Sequence, residues 1–369
     1  MDERLNSFDS ELRRQALEEF SERSTAFNMH CHSFFSYSGF GFSPTALAVL
    51  AKRENWRAAG MVDFDVLDGV NEFLSAAARL GVRAVAGLET RVFIPELENV
   101  EINSPGEPGI AYHLGYGFAS SSVPEGARTF LKSLREKASE RIRRQIELVN
   151  ALLSETPLDA GKVAAEFTPS GNLTERHLCM AYRIAAERIF PEAEERRAYW
   201  MEKIGVWDAD PVVLEGLIRA KTMKRGGAGY IKAQASSFPT LEEMNRFVIS
   251  CGAVPTVAWL NGLSDGETDP GRLLDLHCHA GARAVTLIPD RNWNVSDPEK
   301  RTLLTDALAR FIQACTEREL PVLAGTEMNA PGQKIADDFT VPALIPYLKV
   351  FTAGADALAR WEWPGGKRK

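Results

Sequence analysis

Two histidines separated by one residue stand in the run Asn28-Met29-His30-Cys31-His32-Ser33. In an extended chain, side chains two apart leave the same face. A strand here therefore presents His30 and His32 together to one metal ion, while Met29 and Cys31 pack behind it. The same spacing recurs in Asp275-Leu276-His277-Cys278-His279, but among Leu273, Leu274, Leu276 and Ala280 and just ahead of Gly281. That pattern suits a helix, on which residues two apart diverge by about 200°. His277 and His279 are expected to be structural.

The elements around the first pair predict how it is held. Phe27 to Cys31 is a strand, Ser43-Pro44 caps and opens a helix, and Ala58 to Asp63 is a short apolar strand ending in acid. A helix over Gly69 to Leu80 closes on Gly81, and Val82 to Leu88 is a strand running into Glu89. This alternation predicts parallel pairing and an α/β architecture, with the candidate ligands at the C-terminal strand ends, where such folds carry their sites. Ala111 to Leu114, with His113, continues the series. From about 125 to 220 the sequence is nearly all helical. Leu131, Leu134, Ala138, Ile142, Ile146, Val149 and Leu153 recur at three and four, Arg135, Arg141, Arg143 and Arg144 are expected largely on the solvated side, and Asn172-x-x-Glu175 reads as a capping box. The strand–helix rhythm resumes near 240. A lead-in helix is expected over 8–22, and the tail WEWPGGKRK is expected to be loose.

The order of these motifs resembles the PHP (polymerase and histidinol phosphatase) superfamily of metal-dependent phosphoesterases. The matching segments are NMHCHSFFSYSGFGFSP, then VDFD at Val62 to Asp65, then Gly87-Leu88-Glu89. The resemblance covers most of the chain outside the helical stretch. It implies a distorted (β/α)7 barrel built from 26–118 and 240–355, an inserted all-helical subdomain over 119–239, and a lead-in segment over 1–25. It also implies a first metal site of His30, His32, the bridging Glu89 and Glu327, the last from Gly325-Thr326-Glu327-Met328-Asn329. His113 would serve a second site.

Other family ligand positions fall on Tyr37 or Ser38, Phe64, Trp259 and Asn329. Those substitutions imply one or two divalent ions (Mn, Zn or Fe) rather than three. Asn329, with only a neutral carbonyl to offer, is counted with the substrate-binding residues. Asp63 and Asp65 are the expected catalytic carboxylates, orienting ligands or moving protons. Some PHP phosphatases of nucleotide-type monoesters carry a helical insertion at this point. LTERHLCMAYRIA and KRGGAGYIK are similar to parts of it, and this resemblance implies substrate binding by Arg176, His177, Arg225 and Lys232. The implied activity is hydrolysis of a small phosphate monoester. The alternative is a barrel that binds a phosphorylated ligand or partner without turnover.

Composition excludes other classes. With 369 residues, 45% hydrophobic and 25% charged, the chain can bury a large core without staples. A net charge of −7 argues against a chain-wide surface for nucleic acid or anionic membrane. Five scattered cysteines without CxxC spacing read as reduced thiols. The charged N-terminus is not a signal peptide, and no apolar run is long enough to span a membrane. A cytoplasmic enzyme with a small phosphorylated substrate, no polymeric nucleic acid and no membrane is expected.

Overall fold

The computed structural model describes residues 25–361. The lead-in helix expected over 8–22 and most of the WEWPGGKRK tail lie outside them. Seven strands form one sheet in sequence order: β1 (Asn28–Cys31), β2 (Ala59–Phe64), β3 (Ala84–Phe93), β4 (Ile110–Tyr116), β5 (Val254–Trp259), β6 (Ala284–Leu287) and β7 (Val322–Ala324). The sheet curls so that β1 meets β7. A parallel bridge joins Cys31 to Glu327, and the His32 N–H donates to the Glu327 carbonyl at 2.9 Å. The fold is a nearly closed, distorted seven-stranded α/β barrel.

Strands β1, β6 and β7 are buried along their whole length, as expected where helices cover the outside of a barrel and side chains fill the inside. Two pairings depart from the parallel arrangement expected from the sequence: β4 runs antiparallel to both β3 and β5. Only a short excursion connects β3 to β4, with no crossover helix, and so the chain returns antiparallel.

On the outside, α1 (Pro44–Arg53) starts as its residues predict, with the Ser43 side chain accepting from the Ala46 N–H. α2 (Val70–Leu80) ends on Gly81 in the left-handed region. Between β4 and β5 lie α3 (Glu125–Leu152), α4 (Ala160–Phe167), α5 (Glu175–Ile189), α6 (Ala193–Ile204), α7 (Pro211–Ile218), a π-helical turn over Arg219–Met223, and α8 (Leu241–Ser250). α9 (Pro270–His279), the single-turn α10 (Asp290–Trp293), α11 (Pro298–Glu317) and α12 (Leu348–Ala359) complete the chain.

The 28 residues of α3 tie two apolar cores together. Ala127 and Leu134 pack in the barrel core, whereas Ile142, Ile146 and Val149 join Leu178, Tyr182, Trp200 and Ile218 in a core of the helical segment. Among the described residues no helix is long and apolar enough to cross a membrane.

Candidate metal centre

Strand β1 ends where the barrel opens, and its alternation sends His30 and His32 inward. His30 Nε2 lies 3.1 Å from Glu89 Oε2, and His32 Nε2 lies 3.1 Å from the same oxygen. Glu89 reaches them from the middle of β3, level with Phe64 at the end of β2. All three side chains are buried, and one donor atom from each falls within a 4.8 Å group. His32 Nε2 forms no properly directed hydrogen bond despite its short distance. Two imidazole nitrogens converging on one carboxylate oxygen, one of them without a partner, are donors a divalent cation would satisfy. The N/O set suits zinc, manganese or iron.

The tautomer of His32 is fixed from behind. Ser36 Oγ donates to Asp63 Oδ1 at 2.7 Å, so it accepts from His32 Nδ1 at 3.2 Å. That leaves the Nε2 lone pair free to ligate. Asp63 also receives the Ser33 N–H at 2.7 Å and the Ser33 hydroxyl at 2.6 Å. Phe64 stacks on the His32 ring with centroids 4.4 Å apart. Phe64 thus takes up the room beside the His32 ring. Burial opposes the Glu89 carboxylate, but the charge and the hydrogen bond of His30, with the His32 ring close by, prevail and hold it down at about 2.

His30 and Glu89 line a cavity of about 740 Å³ between the barrel mouth and the helical segment, with His32 buried behind them. Asn172 fastens the two together: its side-chain amide donates to the carbonyls of Phe35 at 3.0 Å and Phe64 at 2.9 Å. The capping box expected at Asn172–Glu175 is therefore Thr174 with His177 instead. Asp65 lines the cavity with its carboxylate on the Thr90 hydroxyl at 2.5 Å, and burial pushes it upward. Arg176, Arg225 and Asn329 also line it.

Several expected site residues are placed elsewhere. His113 is turned out of the barrel, where its Nε2 meets Asn245 Oδ1 of α8 at 2.6 Å and its ring stacks on His277 at 5.7 Å. Its strand neighbour Tyr112 faces the cavity instead. Successive strand residues point to opposite faces, so a shift of one position moves the side chain across the sheet. Asp63 sits behind the ligands, bonded to Ser33 and Ser36, and does not line the cavity. His177 is buried, accepts the Thr174 N–H at its Nδ1, and packs edge-on against Tyr37. Lys232 is exposed outside the cavity. Glu327 is in the cavity, but its carboxylate is turned to Arg291, with Oε2 2.7 Å from Nη2.

The structure also brings in cations that the sequence pattern did not point to. Arg141 is turned inward, not solvated. Arg91 and Arg141 lie over the Phe238 ring, 4.3 and 5.1 Å from its centroid. Arg91 pairs with Glu107, whereas Arg141 makes no hydrogen bond to another described residue. Burial, then the Arg91 charge beside it, pulls the Arg141 guanidinium below its ordinary range. Arg141 is three residues after Ala138 and four before Gln145, both on the buried face of α3. That spacing was the available signal. The π-helical turn presents Arg219 and Lys224 to Glu175, at 2.8 and 2.7 Å.

No protein-family model matches this sequence, and no curated protein matches it. Solved structures share its fold, among them these two. One is an amidohydrolase from Chromobacterium violaceum with bound sulfate and no metal; it is 20% identical, with a TM-score of 0.56, over 89% of this chain and 96% of that one. The other is a proposed metal-dependent phosphoesterase from Bifidobacterium adolescentis, 18% identical, with a TM-score of 0.55, over 89% of this chain and 97% of that one. At these identities the likeness concerns the fold.

Proposed function

We propose that this chain is a metal-dependent hydrolase of a small phosphate ester. The observation that carries the reading is the convergence of His30, His32 and Glu89, two of which, His30 and Glu89, line a cavity that also holds Arg141, Arg176 and Arg225. An ion held by the three donors would supply positive charge and water activation. The chain's own residues do the rest. Arg141 and Arg176 hold the anionic end of the substrate, since neither guanidinium has a carboxylate partner among the described residues and an oxyanion is the ligand such groups pair with best. Asp65 is the cavity carboxyl placed to hold or pass a proton at its Oδ atoms. The helical segment, clamped by Asn172, keeps bulk water from the cavity.

The test is phosphate release from a panel of nucleotide and sugar monoesters with Mn, Zn or Fe supplied, with Glu89→Gln as the control. Release by the wild type that vanishes in Glu89→Gln supports the hydrolase.

A second reading is favoured by one observation: Phe64, Tyr112 and Trp259 line the cavity where further ligands would be needed. On that reading the barrel binds a phosphorylated ligand without turnover. Tight binding of a phosphorylated compound with no release from any ester, metal being bound, would decide for it.

A further inference from the structure

We propose that Arg291 stands in for a second metal ion, so that the centre works with one ion and one guanidinium. This rests on the metal-dependent reading above. A second ion beside Glu89 needs further donors from the strand ends around it. The side chains that line the cavity there are Phe64 on β2, Tyr112 on β4 and Trp259 on β5, and the only histidine of β4 faces α8. Two more carboxylates stand near: Asp65, just past the end of β2, accepts from the Thr90 hydroxyl at 2.5 Å, and so is already engaged, as is Glu327. Glu327 Oε2 accepts from Arg291 Nη2 at 2.7 Å and lies 3.4 Å from Gln333 Nε2.

Glu327 is held firmly in that position. It has φ 66° and is followed by Met328 at φ 54°, a left-handed pair that non-glycine residues adopt only when the surroundings enforce it. The surroundings do so: the His32 N–H donates to the Glu327 carbonyl at 2.9 Å, and the Gly39 N–H to the Met328 carbonyl at 2.8 Å. Arg291 is equally anchored. It leaves β6 on the single turn of α10, where Asn292 donates to the carbonyl of Ile288 at 3.1 Å and Asp290 pairs with Lys334 at 2.5 Å. Apart from Glu327, the Arg291 guanidinium bonds to no other described side chain, and its remaining N–H groups are free to meet an oxyanion at the cavity wall. A planar fork suits a phosphate's oxygens, and its charge is permanent.

Metal content and anion binding test this together. Wild-type protein titrated with MnCl₂ is expected to take one ion per chain. Arg291→Gln, which releases Glu327 and removes a repelling charge, is expected to bind Mn more tightly or to take a second ion. The double variant Arg291→Gln with Glu327→Gln should lose that gain. At Mn levels that give one ion per chain, Arg291→Gln should bind inorganic phosphate roughly tenfold more weakly than wild type, the loss of one charge-assisted contact. Arg291→Lys should recover part of that affinity. Two ions in the wild type, or phosphate binding unchanged in Arg291→Gln, would overturn the inference and leave the hydrolase reading standing. No ion in the wild type would remove both.

Discussion

At the residue scale, the imidazole of His32 is useful only because Ser36 and Asp63 fix which nitrogen carries the proton. Removing the Ser36 hydroxyl should free the ring to adopt the other tautomer. Ser36→Ala is expected to weaken metal binding roughly 10–100-fold, the usual cost of losing an outer partner of a ligating histidine. A calorimetric Mn titration checks it, and unchanged affinity would say that Phe64 alone orients the ring. Glu89 carries more. Glu89→Gln should cost metal occupancy and nearly all hydrolysis, measured by elemental analysis beside the ester assay, because a neutral amide does not offset the ion's charge. His277 and His279 diverge on α9 as their spacing implies: His277 is buried against His113, and His279 is exposed. Replacing both with Gln should leave metal content unchanged in protein that still folds.

At the element scale, the helical segment positions cations that the barrel lacks. α3 places Arg141 over the cavity, α5 places Arg176 at its first turn, and the π-helical turn redirects the chain so that Arg219 and Lys224 neutralise Glu175. Burial opposes that carboxylate, but the two cations hold it at about 2. If these arginines bind the ground state and transition state alike, Arg141→Ala and Arg176→Ala should raise KM with little change in kcat. A fall in kcat at constant KM would assign them to the transition state. Asn172 works between elements. Asn172→Ala breaks two bonds to barrel carbonyls and should loosen the segment, which amide exchange at 168–178 would register as faster opening.

At the scale of the whole molecule, the outward turn of His113 affects stability. Burial, only partly offset by the Asn245 bond, pulls His113 down to about 4, and burial with the His113 charge pulls His277 to about 3. The unfolded chain takes up protons near pH 6.5, before the folded chain does. This contribution to stability is therefore fully present above pH 6.5 and is lost as the pH falls through about 4. For His113 alone the loss is on the order of 3 kcal/mol, at about 1.4 kcal/mol for each pH unit that separates its folded and unfolded values. Urea unfolding at pH 7 and pH 4.5 should show it, and a His113→Leu, His277→Leu double variant should show a smaller drop. An equal drop in the variant would place the acid sensitivity elsewhere.

Local pattern carried the three donors of the centre. Alternation along β1 put His30 and His32 on one face, and β3 carries Glu89 opposite them, though in mid-strand and not at the strand end that the sequence suggested. Those statements need only the geometry of an extended chain and of parallel strands, both short-range properties. The α/β architecture and the helical stretch between β4 and β5 were legible for the same reason, as periodicity changes from two to 3.6. What depended on tertiary structure was every choice between two faces or two partners. The antiparallel run of β4 and a one-residue difference in which side chain points inward put Tyr112, not His113, in the cavity. The turn of α3 brought Arg141 in from a side that its charge suggested was solvated. The left-handed backbone at Glu327 and Met328 aimed a carboxylate at Arg291, thirty-six positions away in sequence. Such outcomes depend on register and on contacts between distant segments, and no local pattern encodes them.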